Sequence, residues 1–308
     1  MEADPSVFVM GQGVDDPWAM FGTTSGLSGR FGPDRVFDTP LSEAALAGVA
    51  TGAAICGLKP VYMHNRPDFL LLAMDQIANH AAKWTQMYGG RAGKVPLVVW
   101  ACTGRGWGAA AQHSQALHGL FLHVPGLKVV LPSSPGDAKG LMLAALADPG
   151  PVMVFDHRDN FRLTGPVPEG PYFTPIGRGI IRRAGRHVTL AAVSSAVVMA
   201  LGAAETLKEK GIEAEVVDLR SAKPLDAALV AESVRRTGRL VVMDTGYPAG
   251  GLAAELVARV AEAAFGAFLA PPLRIGIPDL SVPASPTLEA AYFPSKGGVV
   301  RAIMGLFG

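Results

Sequence analysis

The 308-residue chain contains 27 Lys and Arg against 26 Asp and Glu, 49% hydrophobic residues and two cysteines. It is long enough for about two domains, each with its own core, and too apolar to stay disordered. The charge balance argues against nucleic-acid and acidic-membrane partners, and the two cysteines exclude a small scaffold held by disulfides.

In the first half of the chain, short β-rich segments alternate with Ala-rich segments of helical period. This pattern is typical of parallel sheets covered by helices. We predict strands over 7–10, 59–63, 96–100, 128–131 and 152–155. We predict helices over 42–56, 70–87, 114–121 and 135–147, with Ser42 and Ser134 as N-caps of the first and last.

A stretch rich in proline, glycine and arginine begins near residue 156 and predicts an ordered, extended linker. Beyond it, strands are predicted over 187–193, 213–218, 240–244 and 272–275, with helices over 197–210, 227–237 and 251–265. The predicted fold is therefore α/β, with two three-layer domains over 1–160 and 187–308 and a linker over 161–186. Each domain is expected to be a mainly parallel sheet with helices on both faces.

Cys56 and Cys102 lie in apolar segments without metal-site or redox spacing, which predicts buried, reduced thiols in a cytoplasmic protein. The first residues lack the basic and apolar segments of a signal or transit peptide. The apolar stretch 188–204 is short for a membrane span and runs directly into a charged segment. It is better explained as a buried strand followed by an amphipathic helix.

Several common catalytic signatures are missing, including the P-loop, the GxSxG elbow and the HExxH helix. The glycine-rich segment 104–108 follows a predicted strand but lacks the dinucleotide fingerprint. Glu43 stands in the first turn of a helix of small apolar residues. It either complements the helix dipole or is a carboxylate at the entrance to a buried layer.

Four segments, taken in order, resemble a known family. They are FDTPLSE at 37–43, HNRPDFL at 64–70, MYGG at 87–90 and AAAQHSQ at 109–115. Together they resemble the beta subunit of the thiamine-diphosphate-dependent decarboxylase component of 2-oxo acid dehydrogenases, of the pyruvate dehydrogenase type. The resemblance continues through PGLKVV at 125–130, DAKG at 137–140, DLR at 218–220 and KPLD at 223–226. It implies a transketolase-like pyrimidine-binding domain followed by a transketolase C-terminal-like domain.

The resemblance implies roles for five residues. Glu43 is expected to stabilise the reactive tautomer of thiamine diphosphate through the pyrimidine ring nitrogen, an interaction that burial strengthens. Phe69 is expected against the pyrimidine face, unless it only fills the core, with Leu41 and Asn65 in the same cofactor pocket. His113 is expected to exchange protons while an acyl group passes to a lipoyl arm. The alternative for His113 is a structural role.

Two further sets of residues are assigned by the resemblance. Gln112 and Ser114 are expected to position the His113 loop. A potassium ion is expected at the backbone carbonyls that match the family's ligands, at Leu97, Ala145, Asp148 and Gly150. Carbonyl ligation does not depend on the side chain, so these residue types neither favour nor oppose the ion.

The resemblance also implies a partner chain. The family's other subunit carries a Gly-Asp-Gly segment, followed by an Asn, that holds magnesium and the diphosphate. This sequence has no such segment. We therefore expect an obligate alpha subunit, an alpha2-beta2 heterotetramer with the active site at the subunit boundary, and a lipoyl acyltransferase as a further partner.

Departures from the family's pattern leave the substrate open. The chain lacks the usual helix before its first strand, Gln12-Gly13 stands where the family has two acids, and His64 and Arg66 lie in a segment that is usually apolar. An arginine there can bind a carboxylate or phosphate bidentately. Two other functions remain: the C-terminal subunit of a split transketolase-like enzyme acting on sugar phosphates, and a non-catalytic assembly subunit.

Overall fold

The computed structural model describes residues 1–16 and 20–308. Within them, the strands are β1 Val7–Gly11, β2 Val36–Asp38, β3 Lys59–His64, β4 Val98–Thr103, β5 Lys128–Val130, β6 Val152–His157, β7 Ile180–Arg183, β8 Val188–Ala192, β9 Ala214–Asp218, β10 Ser221–Lys223, β11 Leu240–Met243 and β12 Leu273–Ile275. The α-helices are α1 Leu27–Phe31, α2 Glu43–Ile55, α3 Trp84–Met87, α4 His118–Leu122, α5 Pro135–Ala147, α6 Ser195–Lys208, α7 Ala227–Thr237, α8 Leu252–Ala264, α9 Pro286–Tyr292 and α10 Lys296–Met304.

The strands form two sheets, each covered on both faces. The first has the order β10-β5-β6-β4-β3-β1-β2, and the second has the order β12-β11-β8-β9-β7. All pairs are parallel except β10 with β5 and β7 with β9. Buried apolar residues occupy both faces of the central strands, as expected for parallel sheets. The predicted fold of two mainly parallel α/β domains is confirmed.

The two sheets are joined by more than a linker. β10 lies beyond residue 186, yet Ser221 pairs with Val130 at the edge of the first sheet. The Lys223 ammonium donates to the carbonyls of Leu122 at 2.8 Å and Val124 at 2.6 Å. One core cluster also includes residues of both domains. β7 lies inside the segment predicted to be a linker and forms the antiparallel edge of the second sheet.

The predicted helix over 70–87 is helical throughout most of its length but is not one α-helix. A 3₁₀-helix over Pro67–Ala73 leads to a π-helix over Asp75–Ala81 and then to α3. Leu70 and Ala73 are buried, whereas Leu71 and Leu72 are exposed. A repeat of three residues is the period of a 3₁₀-helix, which agrees with the tighter winding of Pro67–Ala73; the π-helix that follows winds more loosely than an α-helix.

Other predicted boundaries also need correction. The helix predicted over 114–121 begins only at His118, in α4. The strand predicted over 96–100 is β4, which lies further along the chain. α9 and α10 were not predicted; the hydroxyl of Ser295 caps α10 by accepting from the amide of Gly298 at 3.1 Å.

Of the two predicted caps and the two cysteines predicted to be buried, one of each agrees with the structure. The hydroxyl of Ser134 accepts from the amide of Asp137 at 3.2 Å, so its predicted cap is confirmed. Ser42 precedes α2, but its side chain makes no capping hydrogen bond. Both cysteines are free, and Cys102 is buried, but Cys56 is exposed because it ends α2 at the surface. In residues 1–16 and 20–308, no helix has the length and apolar composition needed to cross a bilayer.

Candidate active site

The carboxyl ends of four neighbouring strands meet at one edge of the first sheet. β1, β3, β4 and β6 run parallel there, and the loops that follow them lie at this edge. Ligands of open parallel sheets bind in the crevice outside the carboxyl ends of the strands. Asn65 and Phe69 follow β3, His113 lies in the connection after β4, and Glu43 begins α2 after β2.

Glu43 is half-buried at the start of α2. Its negative charge affects the pKa values of two residues near the end of β3, Tyr62 and His64. Burial raises the pKa of the Tyr62 phenol, and the Glu43 carboxylate raises it further. Burial also lowers the pKa of His64, while Glu43 opposes that change. His64 is therefore neutral at neutral pH. Leu41, two residues before Glu43, is 79% exposed and faces away from the core.

The segment after β3 has unpaired polar atoms in a buried position. The amide nitrogen of Asn65 donates to the carbonyl of Gln12 at 2.6 Å, which ties the ends of β1 and β3 together. His64 Nδ1 lies 3.2 Å from the carbonyl oxygen of Arg66. His64 Nε2 and Asn65 Oδ1 are both buried and have no hydrogen-bond partner in the described part of the chain. Buried polar atoms normally have partners, so these two are available to a bound group.

Phe69 and His113 are in contact although they come from different loops. Their ring centroids are 5.1 Å apart, with the rings inclined at 73°, and His113 is exposed. The two loops are tied together by Gln115, whose amide donates to the Asp68 carboxylate at 2.8 Å. Burial raises the pKa of Asp68, which this hydrogen bond opposes.

Gln115 and Asp68 were missed from the sequence, although both lie in the segments that carry the resemblance. The expected positioning residues differ from them. Gln112 is exposed, and the buried hydroxyl of Ser114 has no partner among residues 1–16 and 20–308. The side-chain hydrogen bond that fixes the His113 loop against the Phe69 segment is therefore made by Gln115.

The residues expected to ligate potassium lie near the opposite edge of the same sheet, before β4 and β6. The carbonyl of Leu97 accepts from the first amide of β6 at 2.9 Å, and that of Ala145 accepts from Asp148 at 3.2 Å. The Asp148 carboxylate accepts from the amide of Gly150 at 2.9 Å and pairs with the ammonium of Lys128. Potassium ligation at these carbonyls stays a prediction.

The side chains at this sheet edge are of the types that bind a flat heteroaromatic ring. Glu43 offers an acid for a ring nitrogen, Phe69 an aromatic face, and Asn65 an unpaired amide oxygen for an amino group. Within the described ranges, no group of three or more His, Cys, Asp or Glu side chains is arranged to hold a metal ion. The donor set thus fits the pyrimidine end of thiamine diphosphate.

Comparisons with known proteins agree with this two-domain organisation. Residues 1–164 match the transketolase pyrimidine-binding domain, and residues 177–299 match the transketolase C-terminal domain. The chain is 46% identical to the acetoin:2,6-dichlorophenolindophenol oxidoreductase subunit beta of Cupriavidus necator, over 98% of this chain and 92% of that protein. It is 42% identical to the mitochondrial pyruvate dehydrogenase E1 component subunit beta-1 of Arabidopsis thaliana, over 98% of this chain and 84% of that protein.

A solved structure described as a split gene transketolase, an inactive beta4 tetramer, has a similar fold. Its TM-score is 0.79 at 26% identity, with 99% of this chain and 93% of that chain covered. The chain therefore belongs to the transketolase-like family of beta subunits that includes those of pyruvate dehydrogenase E1 and of the acetoin oxidoreductases.

Proposed function

We propose that this chain is the beta subunit of a thiamine-diphosphate-dependent 2-oxo acid decarboxylase or dehydrogenase, which forms its active site with a separate alpha subunit. The observation that carries the proposal is the match, over 98% of the chain, to beta subunits of this class. The position of Glu43, Asn65, Phe69 and His113 along one sheet edge supports it.

Glu43 has the central chemical role in this proposal. Thiamine diphosphate, when bound, would supply a carbon nucleophile for the carbonyl group of the substrate. Glu43 holds the pyrimidine nitrogen through a hydrogen bond that strengthens as water is excluded. Phe69 limits the position of the ring, and Asn65 presents its unpaired oxygen to the same group.

His113 is suited to proton exchange with the reacting substrate. It is exposed in the chain by itself, and the edge of Phe69 limits its rotation. An imidazole has one nitrogen that can donate a proton and one that can accept it, so it can serve in both directions during acyl transfer. In the dehydrogenase reaction the acyl acceptor is a lipoyl group carried by an acyltransferase partner.

An apolar surface beside the site supports an alpha subunit as partner. Leu41 is 79% exposed, Val49 of α2 is 59% exposed, and Leu72 is 60% exposed. Leu72 lies on the 3₁₀-helix that packs against α2, and exposed apolar side chains on neighbouring elements are candidates for a protein interface. The alpha subunit supplies the magnesium and diphosphate site in an alpha2-beta2 tetramer. The related beta4 split transketolase is described as inactive, which supports the expectation that this beta chain alone has no activity.

The proposal is tested by coexpressing the chain with its alpha subunit and measuring reduction of 2,6-dichlorophenolindophenol. The Glu43→Gln variant should lose at least about 100-fold in kcat while calorimetry still detects thiamine diphosphate binding. The Glu169→Gln variant, which changes an exposed acid, is the matched control and should keep wild-type turnover. Full turnover by Glu43→Gln would overturn the proposal.

The same assay separates the alternative functions. Pyruvate, branched-chain 2-oxo acids, acetoin and a ketose phosphate are offered in turn. Acetoin is included because the 46% identical relative is an acetoin oxidoreductase subunit. Turnover of the ketose phosphate alone would favour a split transketolase, and cofactor binding without any turnover would favour a non-catalytic assembly subunit.

A further inference from the structure

Two arginines at the candidate active site have no acidic partner among the residues that the structure describes. Arg66 follows β3 and is 9% exposed, and Arg158 follows β6 and is half-buried. Neither belongs to any of the ion pairs formed within residues 1–16 and 20–308. Buried charges are normally paired. The positive charges of these two guanidinium groups are therefore not neutralised by an ion pair among the described residues.

The glycine-rich segment 104–108 holds both arginines. Arg66 Nη1 donates to the carbonyl of Gly104 at 2.9 Å, and Arg158 Nη1 donates to the carbonyl of Arg105. Gly106 has a φ of +120°, and a Cβ there would lie 3.1 Å from Arg158 Nη1. Only glycine combines this backbone conformation with such a close approach. The glycine-rich segment 104–108 therefore binds the guanidinium groups of Arg66 and Arg158 through its backbone carbonyls.

Aromatic rings bring the two guanidinium groups together. The central carbons of Arg66 and Arg158 lie 5.6 Å and 4.9 Å from the centroid of the same ring, Phe21. Arg158 also lies 3.4 Å from the centroid of Trp107, a ring that stacks on Phe21 and is 75% exposed. Stacking orients the planar groups without neutralising them. Two like charges held in this way favour an anion between or beside them.

The nearby acids leave this positive field in place. Asp68 interacts electrostatically with Arg66, but burial raises the pKa of Asp68, and its carboxylate accepts a hydrogen bond from Gln115. Burial lowers the pKa of Arg158, and the charge of Arg66 lowers it further, while Cys102, Asp159 and Glu289 oppose both; none of these three forms an ion pair with Arg158 within residues 1–16 and 20–308. Asp159 is exposed and lies 3.8 Å from His157.

We propose that Arg66 and Arg158 bind an anionic group of the substrate, a carboxylate or a phosphate. Each guanidinium keeps N–H donors beyond the one given to the 104–108 segment, so a forked contact to two anionic oxygens is available. The amide of Phe69 donates to the carbonyl of Arg66 at 3.2 Å, so this site lies beside the segment that carries Phe69. The assignment to the substrate rests on the proposed function; the binding of an anion does not.

The test titrates the full chain with inorganic phosphate and, separately, with oxalate, by calorimetry at low ionic strength. We expect saturable binding of at least one anion that weakens at least about tenfold in Arg158→Gln. The Arg162→Gln variant removes an exposed arginine four residues away and should bind within about twofold of wild type. Arg66→Gln should behave like Arg158→Gln; if it fails to fold, Arg158→Gln decides alone.

Fluorescence gives a second reading of the same site. Because Trp107 stacks against Arg158, a bound anion should change the tryptophan emission of the wild type, and Arg158→Gln should not show that change. Stronger binding of phosphate would indicate a phosphorylated substrate, and stronger binding of oxalate a 2-oxo or dicarboxylic acid. Absence of saturable binding, or equal affinity in wild type and Arg158→Gln, would overturn the proposal.

The reconstituted complex then separates this inference from the proposed function. There, Arg158→Gln should raise KM for the anionic substrate at least about tenfold and leave thiamine diphosphate affinity unchanged. An unchanged KM would overturn the assignment of the anion to the substrate. Saturable anion binding by the chain, with no turnover by the wild-type complex, would instead contradict only the proposed function.

Discussion

Replacing Arg182 should destabilise the protein more than replacing an exposed arginine, because Arg182 is the counter-ion of two buried acids. It lies in β7, and its guanidinium bonds Asp137 of α5 and, at 2.9 and 3.0 Å, Asp218 at the end of β9. The side chains of Asp137 and Asp218 are 4% and 0% exposed, and that of Arg182 is 25% exposed. The network joins the first domain to the second.

The size of the effect follows from this geometry. Removing one partner of a buried ion pair costs about 3–5 kcal/mol. Arg182 is a quarter exposed, and Arg220 still lies 2.9 Å from Asp137, so we expect Arg182→Met to cost about 2–3 kcal/mol. The control is Arg186→Met, which removes a pair between side chains 71% and 45% exposed and should cost about 0–1 kcal/mol.

The measurement is urea unfolding at pH 7 and pH 5, followed by circular dichroism and by tryptophan fluorescence. Burial raises the pKa of Asp218, and Arg182 opposes that rise, so the pKa should rise further in Arg182→Met. A carboxyl whose pKa is raised in the folded state stabilises the fold below that pKa and loses this contribution as pH rises through it. The deficit of Arg182→Met should therefore be larger at pH 7 than at pH 5.

A second variant decides whether the unpaired acid is the cause. Adding Asp218→Asn to Arg182→Met removes the buried charge and should recover at least about 1 kcal/mol. If Arg182→Met and Arg186→Met differ by less than about 0.5 kcal/mol, the two buried acids do not depend on Arg182 and the reasoning is wrong.

Three further changes test other parts of the structure. Burial lowers the pKa of His157 to about 4, so the free energy of unfolding should fall as pH drops from about 6.5 towards 4. His157→Gln should reduce this loss by up to about 3 kcal/mol, as measured by urea unfolding across that pH range. Gln115→Leu leaves the buried Asp68 carboxylate without its 2.8 Å partner and should cost about 1–3 kcal/mol, with lower dye-linked turnover by the complex. Gly140→Ala places a Cβ 2.2 Å from a threonine oxygen and should destabilise the protein by about 1–3 kcal/mol. At Gly202 of α6 the nearest atom to such a Cβ is 3.5 Å away, so Gly202→Ala should stabilise the helix by up to about 1 kcal/mol. Thermal unfolding of the two variants checks the opposite signs.

The sequence predicted the architecture because parallel strands buried on both faces give continuous apolar runs. β6 and β8, for example, are almost entirely buried, and their composition leaves few other structures open. It did not predict β10, because Ser221–Lys223 has three residues and no strand pattern. Short strands at a sheet edge depend on which partner edge is available, and that edge, β5, lies about 90 residues away in the sequence.

For the candidate site, the sequence supplied residue types and the fold supplied their neighbours. The resemblance selected Glu43, Phe69 and His113, but only the fold puts Phe69 against His113. Gln115 stood in the same segment as His113, yet its bond to Asp68 joins loops 47 residues apart. A long-range hydrogen bond between two common polar residues leaves no local periodicity, so the sequence alone gives no reason to pair them.

The second domain contacts the end of the His113 loop through a buried pair of His118 and Asp244. His118 begins α4, five residues after His113, and its Nε2 lies 2.9 Å from the Asp244 carboxylate at the end of β11. Both side chains are 1% exposed. Burial by itself would raise the pKa of Asp244, but His118 lowers it through its charge and hydrogen bond. A pair that is this deeply buried cannot exchange its partner for water without a large cost. The loop after β4 is therefore held on the carboxyl-terminal side of His113, by Gln115 to the first domain and by His118 to the second, while the side chain of His113 stays exposed.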